Sequence, residues 1–328
     1  LFLSWSVPAS AHHSGSVFNR DLVQALEGSV SRFQWRNPHV YIYVEAVSAT
    51  GVLEEWEIET DATPILTRSG WSADTLVPGD PLVVRMNPVY DTSRTHARLL
   101  SLTKADGSVW SARSSFAGST DDMMAGVQAE SIAGVWATPR ETNAHVWSLR
   151  TTQRRLTEAG AQMQAAYDIT TESPAGQCIP YPTPGFLAIP YMNELEILDD
   201  RVTITGEFYG TVRTIFTDGR GHPANGELTN QGHSIGRWEG DELVVETTQL
   251  EEHRSPVIDG APMGARRTVT ERFRWNADRT RLLIDFSVDD PDYLAEPFQG
   301  TAEWVYSPHL EPIKIDCDPD VSQRAWQD

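Results

Sequence analysis

The chain has 328 residues, of which 40% are hydrophobic and 22% are charged, a composition typical of folded globular domains. Its length is sufficient for two domains, each with a core of its own. The formal net charge of −20 repels phosphate backbones and anionic lipid headgroups, so it disfavours nucleic acid and acidic membrane surfaces as partners. A cation or a neutral small molecule is the kind of partner that this charge favours.

An apolar stretch at the start of the sequence ends in Ala9-Ser10-Ala11, the small-residue pattern of a signal-peptide cleavage site. We expect residues 1–11 to be the remnant of a signal peptide and His12 to be the first residue of the mature chain. No later stretch reaches the roughly 18 consecutive apolar residues of a membrane span. The sequence therefore predicts a periplasmic or secreted protein without membrane insertion.

The two cysteines, Cys178 and Cys317, both lie in the second half of the chain. In an oxidising compartment we expect them to form a disulfide that closes the C-terminal domain. Metal binding by the pair is the lesser alternative, because neither residue belongs to a C-x-x-C motif.

Short strands dominate residues 12–112, which we expect to form the first domain. A short helix at 65–69, with Thr63 as its N-cap, separates the third strand from the fourth. The predicted strands are 26–33, 40–47, 56–58, 82–86 and 97–103. Five or six short strands with one helix among them are the plan of an OB-type barrel. Residues 17–112 contain 8 Lys or Arg against 12 Asp or Glu, so this barrel lacks the basic groove with which OB folds bind nucleic acid.

Residues 113–133 are rich in small and polar side chains and are predicted to link the first domain to a second one at 134–328. After a helix that starts at Thr157, we predict strands at 194–198, 201–208, 212–216, 234–238, 242–247, 267–275, 281–288 and 301–306. The clearest turn signal is Glu239-Gly240-Asp241, between the fourth and fifth of these strands. Seven or eight antiparallel strands predict a lipocalin-like barrel or a sandwich, and such a barrel can hold one small ligand. The whole chain is thus expected to be all-β.

Several motifs resemble those of an uncharacterised family of exported bacterial proteins. In the first half they are AHHS at residues 11–14, NPHV at 37–40, GW at 70–71 and PGD at 78–80. The second half, with GHS at 232–234 and GRWEGD at 236–241, resembles the region that often follows in such proteins. The resemblance implies export and this architecture, and it brings no established activity or catalytic residues.

A metal site is predicted at the mature N-terminus. If cleavage precedes His12, that residue offers its α-amino nitrogen and a ring nitrogen to one metal ion, and a second imidazole from His13 or His39 completes a set of three nitrogens. This arrangement resembles the histidine brace of copper proteins, and nitrogen donors of this kind suit copper. The alternative is that His12 and His13 merely belong to a frayed terminus.

A second group of chemically active residues surrounds the start of the predicted hairpin. His233 with Asp218 could act as a general base and its partner, while His222, Arg237 and Trp238 could bind a ligand. The structural alternative places Asp218 in a turn, His233 at a strand end and Arg237 in a cross-strand pair with Glu239 or Glu271. The segment GHSIG at 232–236 matches G-x-S-x-G only formally, since its serine leads into a strand instead of a strand-to-helix turn.

We therefore expect a binding protein for a small, apolar ligand held in the C-terminal barrel. A copper-binding protein, either a carrier or an oxidase using His12 with His13 or His39, is the first alternative. An isomerase or cyclase with its site in the C-terminal barrel and His233 as its base is the second alternative, which requires His233 and Arg237 to face one cavity. The sequence leaves open whether the chain is an enzyme.

Overall fold

The computed structural model describes residues 18–111, 127–138, 154–189, 191–254, 260–315, 317–320 and 322. It confirms an all-β protein, with one closed barrel in the N-terminal part and another in the C-terminal part. The α-helices within the described ranges are short: α1 at Thr63–Arg68, α2 at Glu158–Ala165 and α3 at Ile169–Glu172. No helix among these residues is long and apolar enough to cross a membrane.

The first barrel has the OB plan. Its strands are β1 (Gln24–Gln34), β2 (Tyr41–Val47), β3 (Leu53–Glu59), β4 (Pro81–Pro88), β5 (His96–Lys104) and β6 (Val109–Ser111). They lie in the order β3-β2-β1-β4-β5-β6, and a parallel pairing of β3 with β5 closes the barrel. Because α1 connects β3 to β4, the predicted OB-like barrel is confirmed.

The start of α1 differs from the sequence prediction and fixes a neighbouring loop. The N-cap is Ala62, without a side-chain capping bond, and Thr63 is already the first helical residue. The Thr63 hydroxyl and backbone N–H both donate to Oδ1 of Asn37, at 3.0 and 2.9 Å. These two bonds tie α1 to the loop between β1 and β2, which carries His39.

Nine strands close the second barrel. They are β7 (Gly134–Ala137), β8 (Met192–Ile197), β9 (Arg201–Gly206), β10 (Val212–Phe216), β11 (His233–Glu239), β12 (Glu242–Thr248), β13 (Thr268–Trp275), β14 (Arg281–Asp289) and β15 (Phe298–Tyr306). All neighbours pair antiparallel except β10 and β11, which are parallel. A closed ring with an odd number of strands needs such a pair, because directions cannot alternate all the way round. The C-terminal domain is therefore a barrel, and the short β7 and the parallel pair are the features that the sequence did not predict.

The hairpin β11–β12 forms as predicted. Glu239 pairs with Glu242, and Gly240 in the turn between them has a φ of +66°, a value that favours glycine. Gly232, just before β11, has a φ of +69°, and a Cβ there would lie 2.6 Å from the carbonyl oxygen of Thr248. Glycine is thus required at both ends of β11.

The proline-rich segment 174–189, which we name the plug, fills part of the second barrel. Phe186 and Leu187 of the plug are completely buried in the same core as the inward-facing Trp304. The indole N–H of Trp304 donates to the backbone oxygen of Leu187 at 2.8 Å. The barrel interior is therefore occupied by side chains from outside the sheet.

The predicted disulfide is present and anchors the plug. Cys178 at the start of the plug is bonded to Cys317, which follows β15. Cys317 also forms a parallel bridge with Asn37 of the first domain. The disulfide therefore lies where the plug, the C-terminal part of the chain and the OB barrel meet.

The two barrels are joined by a buried ion pair. Arg68 at the end of α1 donates through Nη2 to Oε1 of Glu207, whose side chain is completely buried. Glu207 also accepts hydrogen bonds from the backbone N–H groups of Met192 at 3.0 Å and Ile313 at 2.7 Å. The Glu207 carboxylate thus holds together the end of α1, the backbone at Met192 and the backbone at Ile313.

The described end of the predicted linker packs against the second barrel. Ala129 and Ile132, within the predicted range 113–133, are buried in the core of that barrel. Residues 112–126 lie outside the described residues. The domain bounds stay a prediction.

Candidate functional sites

The first candidate site is a buried group of charged side chains around Glu59, which we name the Glu59 cluster. Oε1 of Glu59 lies 3.0 Å from Nδ1 of His39 and accepts a 2.7 Å hydrogen bond from Nη1 of Arg98. Oε2 of Glu59 lies 3.8 Å from Nε2 of His96. Arg98 completes the cluster through Nη2, which donates to the carboxylate of Asp61.

The surroundings of Glu59 favour its ionised form. Burial by itself would raise the pKa of the carboxyl group, but the nearby His39 and His96 and the charge of Arg98 outweigh it and hold the pKa well below its usual range. Burial likewise opposes the charge on Arg98, and Asp61 and Glu59 raise the pKa of that guanidinium. The cluster is therefore a set of charges that stabilise one another inside the protein.

The orientation of His39 is set by its position before β2. Tyr41, the first residue of β2, pairs with Glu59, the last residue of β3. His39 lies two positions before Tyr41 and therefore lies beside the end of β3. Nδ1 of His39 is buried against Glu59, while 26% of the side chain remains exposed. The exposed area therefore belongs to side-chain atoms other than Nδ1. A carboxylate fixes the tautomer of a catalytic or metal-binding histidine in the same way.

His96 lies on the other side of the same carboxylate and contacts the start of the described chain. It is 5% exposed, and the ring of Phe18 meets it edge-on with the centroids 5.3 Å apart. His12 and His13, the predicted N-terminal ligands, lie outside the described residues. Phe18, the first described residue, thus lies beside the Glu59 cluster.

Tyr191 of the second domain is a further group with a shifted pKa. Burial raises the pKa of Tyr191 well above its usual value, and the charges of Tyr209 and Asp61 act in the same direction. Asp61 of the OB domain thus contributes to the electrostatic environment of this phenol.

The second candidate site is the pair His222 and His233, and the structure brings these two predicted residues together. Nδ1 of His222 lies 2.9 Å from Nδ1 of His233, within hydrogen-bond distance. Nε2 of His222 lies 3.3 Å from Oε1 of Glu246 on β12. Burial lowers the pKa of His233, and the charges of His222 and Arg220 lower it further, so its neutral form is favoured.

The remaining residues of the predicted second group lie elsewhere. Asp218 accepts hydrogen bonds of 2.9 and 3.0 Å from Nε of Arg220. Arg237 is 67% exposed and pairs with Glu239 at 2.8 Å, which is the predicted structural alternative. The exposed Trp238 follows it at the end of β11. The structure therefore does not bring Asp218, Arg237 or Trp238 into contact with the histidine pair, and the isomerase hypothesis stays a prediction.

A third polar group lies within the second barrel. The completely buried Arg213 on β10 donates to both carboxylate oxygens of Glu271 on β13, to Oγ1 of Thr247 at 2.8 Å and to Oγ of Ser234 at 3.2 Å. Ser234 is the serine of GHSIG, and it also shares a 2.8 Å hydrogen bond with Thr247. Its hydroxyl thus belongs to a satisfied internal network, as expected if the motif match is accidental.

This network and the plug bear on the predicted apolar ligand. The guanidinium carbon of Arg213 lies 5.8 Å from the centre of the Phe186 ring, so the plug and the ion pair meet inside the barrel. An apolar ligand in this space would have to displace Phe186 and Leu187. Ligand binding in the C-terminal barrel accordingly stays a prediction.

Sequence reasoning missed most of the Glu59 cluster. It selected His39 but not Glu59, His96 or Arg98. In the sequence, Glu59 ends a strand that also carries Glu54, Glu55 and Glu57, and nothing local distinguishes it from them. A parallel pairing of β3 with β5 brings Glu59 opposite Arg98, and only this non-local contact defines the cluster.

The fold and this site define a two-barrel, all-β protein whose OB domain carries a carboxylate between two imidazoles. Residues 1–98 match a family of unknown function, DUF6152. The matched part contains every residue of the Glu59 cluster. Among curated proteins, none matches the sequence. The N-terminal part is therefore similar to an uncharacterised domain.

Proposed function

We propose that this chain is an exported copper-binding protein whose OB domain uses His39 as a metal ligand. The observation that carries the proposal is the 3.0 Å contact between Nδ1 of His39 and the ionised Glu59. Metal-binding histidines usually give their second ring nitrogen to such a carboxylate, which orients the ring and makes it a stronger donor. Neutral imidazole is a common ligand for copper.

The remaining ligands of the proposed site come from the mature N-terminus. A chain that begins at His12 offers an amino nitrogen and an imidazole, which with His39 form the three nitrogens of a histidine brace. Six residue steps lead from His12 to Phe18, and a fully extended chain of that length spans at most about 20–22 Å. Phe18 contacts His96, and both His96 and His39 lie against Glu59. The two halves of the proposed site are therefore within reach of each other.

Two features support export and copper. The disulfide between Cys178 and Cys317 is typical of an oxidising compartment, where a signal peptide would deliver the chain. The net charge of −20 attracts cations. Among the described residues no three His, Cys, Asp or Glu side chains are grouped so that they could hold a metal ion, so the proposal depends on ligands from before Phe18.

Native mass spectrometry of the exported protein, purified without chelator, tests the proposal. We expect a chain that begins at His12 and carries one copper ion, and we expect His39→Ala to lose that copper. His309→Ala, which removes an exposed histidine, is the matched control and should retain it. A chain that begins at His12 and stays free of metal after copper is added would rule the proposal out.

A further inference from the structure

The His222–His233 pair lies in the other domain and takes no part in the proposed copper site. His233 is the first residue of β11, and Ser234 beside it points into the barrel, so the His233 side chain lies on the outer surface. His222 comes from the loop 217–232 that joins the parallel strands β10 and β11. The pair therefore lies where this loop folds back over the outside of the sheet.

The spacing of the two ring nitrogens is close to that of two ligands on one metal ion. Two metal–nitrogen bonds of about 2.0–2.1 Å that meet at the tetrahedral angle place their nitrogens about 3.3–3.4 Å apart. The observed separation between the Nδ1 atoms of His222 and His233 is 2.9 Å. One of the two Nδ1 atoms carries the proton of this hydrogen bond, so coordination through both requires that imidazole to hold its proton on Nε2 instead. A small rotation of each ring, which separates the two nitrogens by about 0.5 Å more, would then turn both lone pairs toward one ion.

The surroundings already have the form of an outer ligand shell. Nε2 of His222 lies 3.3 Å from Oε1 of Glu246, so this carboxylate can hold the nitrogen that would not bind the metal. The ring of His233 stacks on Phe216, with the centroids 5.2 Å apart and the planes 26° apart. Both imidazoles are therefore oriented by neighbours before any ligand arrives.

The loop that carries His222 is held at its far end. Thr229 pairs with Leu250 in a parallel bridge, and the side chain of Asn230 donates to the backbone oxygen of Pro180 at 2.7 Å. Gln231 donates to the backbone oxygen of Tyr181 at 2.8 Å. The loop is thus tied both to the barrel and to the plug, which limits the ordering cost of binding.

The positive charges of Arg220 and Arg201 lie nearby and are balanced by carboxylates. Their guanidinium carbons lie 3.9 and 5.5 Å from the centre of the Phe216 ring. Arg220 is paired with Asp218, and Arg201 is paired with Asp200. We propose that His222 and His233 form a second metal site, which binds one divalent ion such as zinc through both Nδ1 atoms. In this site Glu246 contacts Nε2 of His222, and water completes the coordination. Two imidazoles are suitable donors for zinc, copper or nickel.

Zinc titration of the full chain by calorimetry tests this site separately from the proposed copper site. The measurements use His39→Ala as the background, so that the OB domain site is absent in every sample. We expect this protein to bind zinc, and we expect His222→Ala and His233→Ala each to remove one equivalent or to weaken its binding at least about tenfold. His309→Ala in the same background is the control for an exposed histidine and should change nothing.

The outcomes are distinct from those of the copper experiment. Zinc binding that is lost with either His222 or His233 supports the site whether or not His39 binds copper. Zinc binding that survives both substitutions, or no zinc binding by the His39→Ala protein, overturns it. Glu246→Gln supplies a variant with both imidazoles intact, and we expect its zinc affinity to fall by about 10–100-fold.

Discussion

His39 and Glu59 are twenty positions apart in the sequence, yet Nδ1 of the first lies 3.0 Å from Oε1 of the second. The hairpin of β2 and β3 brings them together, because its register places Tyr41 opposite Glu59. Two bonds from Thr63 to Asn37 hold the loop that precedes His39. The orientation of this imidazole is thus set by strand register and by one helix terminus.

Removal of the charge on Glu59 should weaken copper binding without removing a ligand. The carboxylate of Glu59 favours, through its negative charge, the tautomer of His39 that holds its proton on Nδ1. The neutral amide in Glu59→Gln lacks this charge, so we expect copper affinity to fall by about 10–100-fold. Glu45→Gln, on an exposed position of β2, is the matched control. Equal copper affinities for the wild type and Glu59→Gln in competition with a chelator would contradict the role of this carboxylate.

The ion pair of Arg213 and Glu271 should matter for stability because both side chains are completely buried. Glu271→Gln leaves the Arg213 charge uncompensated, and we expect it to lower the free energy of unfolding by about 3–5 kcal/mol. The double variant Arg213→Met, Glu271→Leu removes both charges and should lose much less. Urea unfolding of the wild type, Glu271→Gln and the double variant is the measurement. If Glu271→Gln were as stable as the wild type, the ion pair would not contribute to the free energy of unfolding.

The contact of Arg68 with Glu207 should couple the two barrels. Arg68→Met leaves the buried Glu207 carboxylate with its backbone donors only, and we expect a loss of about 3 kcal/mol and earlier unfolding of the OB domain. Arg155→Met breaks the exposed pair with Glu296, which should cost at most about 1 kcal/mol. Calorimetry distinguishes one transition from two, and identical scans for Arg68→Met and the wild type would contradict the coupling.

Stability should decrease at mildly acidic pH partly because of His253. Burial, with a smaller contribution from the charge of Arg267, lowers the pKa of His253 from 6.5 to about 3. The neutral imidazole is favoured in the folded state, so the stabilisation is complete above pH 6.5 and decreases as the pH falls toward 3. Between pH 7 and pH 5 we expect a loss of about 2 kcal/mol from this residue.

The free energy of unfolding at both pH values, for the wild type and for His253→Gln, tests that prediction. The variant lacks the titrating group, so its stability should change less between the two pH values. An equally steep pH dependence in both proteins would assign the effect to other groups.

Local signals in the sequence predicted local structure well. The turn at Gly240 and the succession of short strands with one helix in the OB domain depend on glycine positions and on short connections. The disulfide of Cys178 and Cys317 follows from there being two cysteines in a chain with a predicted signal peptide. These features could be predicted because each is determined by a few neighbouring residues or by composition.

Features that depend on distant contacts could not be predicted. The parallel pairing of β10 and β11 is separated by the loop 217–232, and strand patterns do not indicate which partner a strand will choose. Phe186 lies in a proline-rich segment, whose entry into the barrel has no periodic signal. His222 and His233 lie together as grouped, but Arg237 does not, because it lies four residues further along β11 than His233, a distance of about 13 Å.

Diffraction at the copper absorption edge tests the central claim most directly. Crystals of the protein beginning at His12 would be grown with one equivalent of copper, and the anomalous signal would locate the metal. We predict one strong peak about 2.0–2.1 Å from a ring nitrogen of His39. A peak only between His222 and His233, or no peak beside His39, would contradict the assignment of copper binding to the OB domain.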